Sequence, residues 1–137
     1  MLKIGDYFGK WINHSDVTEE VEDNAMTLVE KVNDLLEEMF ADGVDFHLNP
    51  STNSYISGKT YGGFRPQDCP QGAHTSSHKT GQGVDLYDPK RELARWCHVH
   101  HDKLAKHDLW MESWDATPGW VHLTTRAPRS GKREFQP

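Results

Sequence analysis

Val21, Ala25, Leu28, Val29, Val32, Leu35, Leu36, Met39 and Phe40 recur at spacings of three, four and one, so they share one stripe of a helix running from about Thr18 to Ala41. Thr18 fits the N-cap, and Glu19, Glu20, Glu22 and Asp23 put negative charge at the positive end of the helix dipole. Gly43 supplies the stop. The stripe predicts a helix that faces the core rather than a partner. Beyond Gly43 the period shortens: Val44, Phe46 and Leu48 alternate with polar residues, which predicts a strand closed by Asn49-Pro50. Residues 54–57 and 61–65 predict two further short strands.

Residues 66–83 are rich in Pro, Gly, Ser, Thr and Gln and predict a long loop, which in a small domain is usually functional or disordered. A strand over 84–87 follows, then Asp88-Pro89 as N-cap and first residue of a helix. Leu93, Trp96, His100 and Leu104 continue the helical stripe, with a break expected near 100–102. Residues 109–112 and 120–124 predict two strands around a turn at Thr117-Pro118-Gly119. Arg126, Arg129, Lys132 and Arg133 make a basic tail over about 125–137, expected to be solvated. At 137 residues, with no internal repeat, the chain suits one domain over 1–137.

Composition sharpens this picture at one point: nine histidines stand against two cysteines. Cys69 and Cys97 cannot build a disulfide scaffold or a four-thiolate zinc site, and both are expected to be reduced. Metal chemistry would have to use His and carboxylate. A net charge of −6 provides no electrostatic footprint for nucleic acid. No apolar run is long enough to span a membrane, and residues 1–14 lack a signal-peptide layout, so synthesis as a soluble cytoplasmic protein is expected.

The candidate chemistry lies in Ser76-Ser77-His78-Lys79-Thr80-Gly81-Gln82-Gly83-Val84-Asp85 and, much later, Gly119-Trp120-Val121-His122-Leu123. A bend at Gly81 or Gly83 would bring His78 and Asp85 to one point. His122 would join from another strand, with Val121 and Leu123 on the opposite face. Two imidazoles and a carboxylate leave a fourth tetrahedral position open for water, as catalytic zinc requires.

This pattern, Ser-x-His-x-x-Gly-x-x-x-Asp with a later Trp-x-His, resembles the zinc peptidases of the M15 family, whose fold is shared with the Hedgehog signalling domain. The resemblance covers about 61–124, roughly half the chain, and extends to the short phage-encoded branch of the family. It implies an α+β fold, a Hedgehog/DD-peptidase-like domain with a small antiparallel sheet and packed helices. It also implies zinc held by His78, Asp85 and His122. Gly63-Phe64-Arg65-Pro66 looks like the family's Gly-Tyr-Arg-Pro segment, so Arg65 would contact substrate and developing negative charge. Ser76 matches the serine two residues before the first ligand, and Gly83 replaces a commoner Ala. Where many relatives carry the catalytic carboxylate, three residues before the last ligand, this chain has Gly119. Glu112, in a Glu-Ser pair similar to one in Hedgehog domains, is then the first choice for the base, and Asp115 the second.

The implied activity is hydrolysis of peptidoglycan stem peptides by a monomer acting at the bacterial cell wall, as an endolysin, a carboxypeptidase or a phage-particle component. Two other readings stay open: a zinc-stabilised binding or assembly module without catalysis, and a non-haem iron oxygenase. The latter uses the same ligand types but usually pairs them as His-x-Asp. Among the remaining histidines, His74 is placed to meet substrate from the loop. Cys97 and His101, four apart, are a weak second metal pair.

Overall fold

The computed structural model describes residues 1–71 and 76–137. A short helix α1 (Ile4–Phe8) and a 3-10 turn (Gly9–Trp11) come first, too brief to carry a legible period. Helix α2 (Glu19–Ala41) then matches the expected span to within a residue: the Thr18 hydroxyl accepts the Val21 N–H at 3.2 Å, and the Val44 N–H closes the far end on the Met39 carbonyl. The stripe from Ala25 to Met39 is buried, Val21 half so. Phe40 departs from the expectation, being 68% exposed. It sits at the edge of the stripe in the last turn, beyond the core, and rests on Phe46 instead.

The sheet contains β1 (Gly83–Tyr87), β2 (Trp110–Glu112), β3 (Trp120–Thr124) and β4 (Glu134–Phe135), in the order β1-β3-β2-β4. β1 and β2 both run antiparallel to β3, but β4 is parallel to β2, so the sheet is mixed rather than antiparallel throughout. The supposedly solvated tail makes that last strand. The Met111 N–H donates to the Arg133 carbonyl at 2.8 Å and the Ser113 N–H to the Phe135 carbonyl at 2.7 Å, while the Arg133 guanidinium lies over the Trp110 ring.

Between β1 and β2 lie α3 (Glu92–Val99) and α4 (His101–Lys106), broken at His100 as expected. Helix α3 begins later than Asp88-Pro89 suggested. Asp88 nevertheless works from outside it, its carboxylate accepting the Leu93 and Ala94 N–H groups at 3.1 and 2.9 Å. Helix α3 packs on β3 and α4 on β2. Val84, Leu86, Val121 and Leu123 enter the core with the apolar side of α2.

The three strands expected over 44–65 are absent. What remains is an isolated bridge between Asn49 and Ser54 and another between Ile56 and Leu86. The buried Asn49 amide donates to the Ile56 and Gly58 carbonyls at 2.8 and 2.7 Å, winding the segment into a turn that competes with a ladder. Residues 55–57 then lie along the outer edge of β1, where Tyr87 N–H reaches the Tyr55 carbonyl and Ser57 N–H the Asp85 carbonyl. Among the described residues, no helix is long and apolar enough to cross a membrane.

Candidate metal centre

Asp85 on β1 lies directly opposite His122 on β3 in the antiparallel register. Because Val84, Leu86, Val121 and Leu123 occupy the core face, strand alternation puts Asp85 and His122 together on the other. Their side chains meet, His122 Nδ1 to Asp85 Oδ1 at 2.8 Å. His78 reaches the same oxygen from the turn before β1, Nε2 to Oδ1 at 3.3 Å. The bend that delivers it is at Gly81, with φ +78°, where a Cβ would strike the Val21 carbonyl at 2.6 Å. One ligand atom from each of the three residues falls within 4.8 Å of the others.

Neighbouring groups fix how these rings present themselves. His78 Nδ1 donates to the Gly63 carbonyl at 2.8 Å, which leaves the Nε2 lone pair aimed at Asp85. His122 Nε2 faces the Ser77 hydroxyl at 3.4 Å and turns Nδ1 inward. Ser77 in turn explains the glycine at 83. A Cβ there would stand 2.2 Å from Ser77 Oγ and 3.1 Å from the His122 ring, so an alanine at this position would displace this support. The Tyr7 hydroxyl donates to the Gly83 carbonyl at 3.0 Å and holds the start of β1 from beneath.

Burial lowers the affinity of His78 for a proton, so its ring stays neutral and ligand-competent, although Asp85 opposes this. For Asp85, burial alone would raise the carboxyl, but the electrostatic influence of His78 and the hydrogen bond from His122 outweigh it and hold the group well below the usual carboxylate range. Arg65 approaches the outer oxygen of Asp85 at 3.4 Å and is steadied by its Nε–H to the Tyr61 carbonyl at 2.8 Å.

The three side chains open into a cleft of about 520 Å³ that Arg65, Ser76, Glu112, Trp120, Arg126 and Phe135 also line. Glu112 is half-buried at the end of β2, and burial, followed by smaller opposed effects of His122 and Asp85, raises its pKa. Asp115 is exposed, takes the Ser113 hydroxyl, and does not line the cleft. Ser76 lines the cleft and its hydroxyl accepts the His78 N–H at 3.3 Å. Gly119 takes φ +89° in the turn before β3, a conformation few side-chain-bearing residues adopt. His74 lies outside the described residues. Ser77, Tyr7 and Phe135 were not foreseen. Nothing local in the sequence marks a tyrosine or phenylalanine that reaches the site from so far along the chain.

The Cys97–His101 pair does not form: Cys97 is fully buried and burial pushes its thiol strongly upward. His101 turns instead, with His98, to Glu134. Both cysteines are free. In a third grouping, His14, Asp16 and Asp68, Asp68 is exposed, Asp16 accepts the Gln67 N–H and His14 Nδ1 accepts the Asp16 N–H. Comparison with family models, curated proteins and solved structures returned no match.

Proposed function

We propose that this chain is a zinc-dependent peptidase of the M15 kind that hydrolyses peptide bonds in peptidoglycan stem peptides. The observation that carries the reading is the convergence of His78 Nε2, Asp85 Oδ1 and His122 Nδ1 at the floor of a cleft that also contains Glu112 and Arg65. The donor set fits zinc: two imidazoles, each with an outer partner on its far nitrogen, one carboxylate, and one side left to the cleft. Bound there, zinc would polarise the scissile carbonyl and make a bound water acidic.

The chain's own groups supply the rest. Glu112, with its pKa raised by burial, takes a proton from the attacking water and delivers it to the leaving amine as the C–N bond breaks. Arg65 sets a positive charge beside the carbonyl oxygen as that oxygen gains negative charge. Asp115, exposed and bonded to Ser113, has no route to the cleft, which makes Glu112 the base of choice.

Purified muropeptides digested with the zinc-loaded protein and followed by mass spectrometry test the reading. Release of shortened stem peptides is expected, and Glu112→Gln should slow it by orders of magnitude with zinc retained. Intact muropeptides at full zinc occupancy would instead favour a metal-stabilised binding or assembly module, the reading that Gly119 in place of the usual carboxylate supports.

A further inference from the structure

His98 and His101 are three residues apart on either side of the break between α3 and α4. His100, between them, is removed from the group: its ring stacks on Trp96 at 4.2 Å and its Nδ1 meets the Trp96 carbonyl. His98 Nδ1 and His101 Nε2 both point at one oxygen of Glu134 on β4, at 2.6 and 2.8 Å. The other oxygen of Glu134 accepts the Trp114 N–H at 3.0 Å, so the carboxylate cannot turn away. Glu134 is 10% exposed, whereas the imidazoles are 44% and 46% exposed, which leaves the outer side of the group open to water.

We propose that His98, His101 and Glu134 form a second metal site, separate from the cleft, which takes a divalent ion of the zinc, cobalt, nickel or copper class and clamps β4 to the α3–α4 corner. The three side chains are already gathered, their ligand atoms within 4.8 Å of one another, and an ion would replace the direct hydrogen bonds to Glu134 by bonds to itself. Two imidazole nitrogens and a carboxylate oxygen suit borderline divalent transition ions rather than calcium or magnesium, which prefer all-oxygen shells. The hydrogen bond from the Trp114 N–H plays the orienting role that outer partners play at metal carboxylates.

Its consequence lies at the neighbouring residue. Glu134 and Phe135 are the whole of β4, and Phe135 forms part of the cleft wall, edge-on to His122 with ring centroids 6.4 Å apart. A two-residue strand has little hold of its own. A metal at Glu134 would therefore steady one wall of the cleft without entering it.

Equilibrium dialysis of the full chain against zinc, with metal content measured alongside protein, tests the site. The variant H98A/H101A should take up one equivalent less than the unaltered protein, and H78A/H122A should keep that equivalent. This result is independent of whether the cleft turns over peptide. Zinc should also shift the His98 and His101 imidazole resonances and slow proteolysis after Arg133, and the slowing should vanish in H98A/H101A. Equal zinc uptake by the unaltered protein and H98A/H101A, unmoved His98 and His101 resonances, or equal protection of the tail in both proteins would overturn the proposal.

Discussion

The cluster of His78, Asp85 and His122 and the cluster of His98, His101 and Glu134 contain the same ligand types, yet they are built in opposite ways. In the first, both histidines are almost wholly buried, at 3% and 8% exposure, and each ring has a second partner on its far side. In the second, the carboxylate is held from behind by the Trp114 N–H, whereas the rings bonded to it are nearly half exposed. Ordering two exposed side chains costs rotamer entropy that the buried pair has already surrendered on folding. The lesson is that ligand identity sets which metal a site accepts, whereas the partners behind the ligands set how tightly. Tight, retained metal is expected at the cleft, and exchangeable metal at the α3–α4 corner.

His122→Ala breaks the comparison at its strongest point. It should abolish zinc retention at the cleft and all hydrolysis, and should destabilise the fold by about 3 kcal/mol because buried Asp85 loses a partner. Metal analysis and denaturant unfolding check both parts, and the corner cluster should be unaffected. Glu112→Gln separates chemistry from binding: turnover should fall by about 10²–10⁴-fold with zinc content unchanged. If turnover survives and falls instead in Asp115→Asn, the assignment of the base is wrong.

A subtler probe is Gly83→Ala, which adds one methyl against Ser77 and His122. Overpacking of that kind should cost about 1–3 kcal/mol and weaken zinc at the cleft alone. Calorimetric zinc titrations of the variant would show the loss confined to the tighter binding step.

The smallest effect concerns a carboxylate whose partners are mostly cations. Glu38 meets His107, Lys103 and Lys106, and their hydrogen bonds, that of His107 foremost, lower its pKa from 4.5 to about 2. Its contribution to stability is therefore complete above about pH 4.5 and disappears as the pH falls toward 2. In Glu38→Gln the unfolding midpoint should vary less over that range, as thermal melts at several pH values would show. Zinc should leave it unmoved, since two lysines beside Glu38 repel a cation.

How much of this was readable in the chain depends on what each element has for a pattern. Helix α2, β1 and β3 were legible because burial imposes a period of 3.6 or 2 over enough residues to see. That His78, Asp85 and His122 cluster was legible for the same reason, two of them being the polar members of alternating strands. The segment 44–65 misled because Asn49 satisfies carbonyls that a ladder would otherwise use. β4 was invisible, since two residues have no period and its neighbours are basic. Tyr7 and Ser77 act through contacts that only the folded chain creates.

The direct opposition of Asp85 and His122 has a consequence for tolerance to length change. Their separation of 37 positions is not part of the site's specification; parity is. Segments 88–109 and 113–119 sit outside the β1–β3 pairing, so their length does not decide which face Asp85 or His122 takes. A single insertion within 83–87 or 120–124 would turn Asp85 or His122 inward and the apolar residues outward in the same stroke. Core and candidate cluster are thus inherited together, and a chain that buries the correct face of the β1–β3 pair has brought two of the three side chains together by doing so.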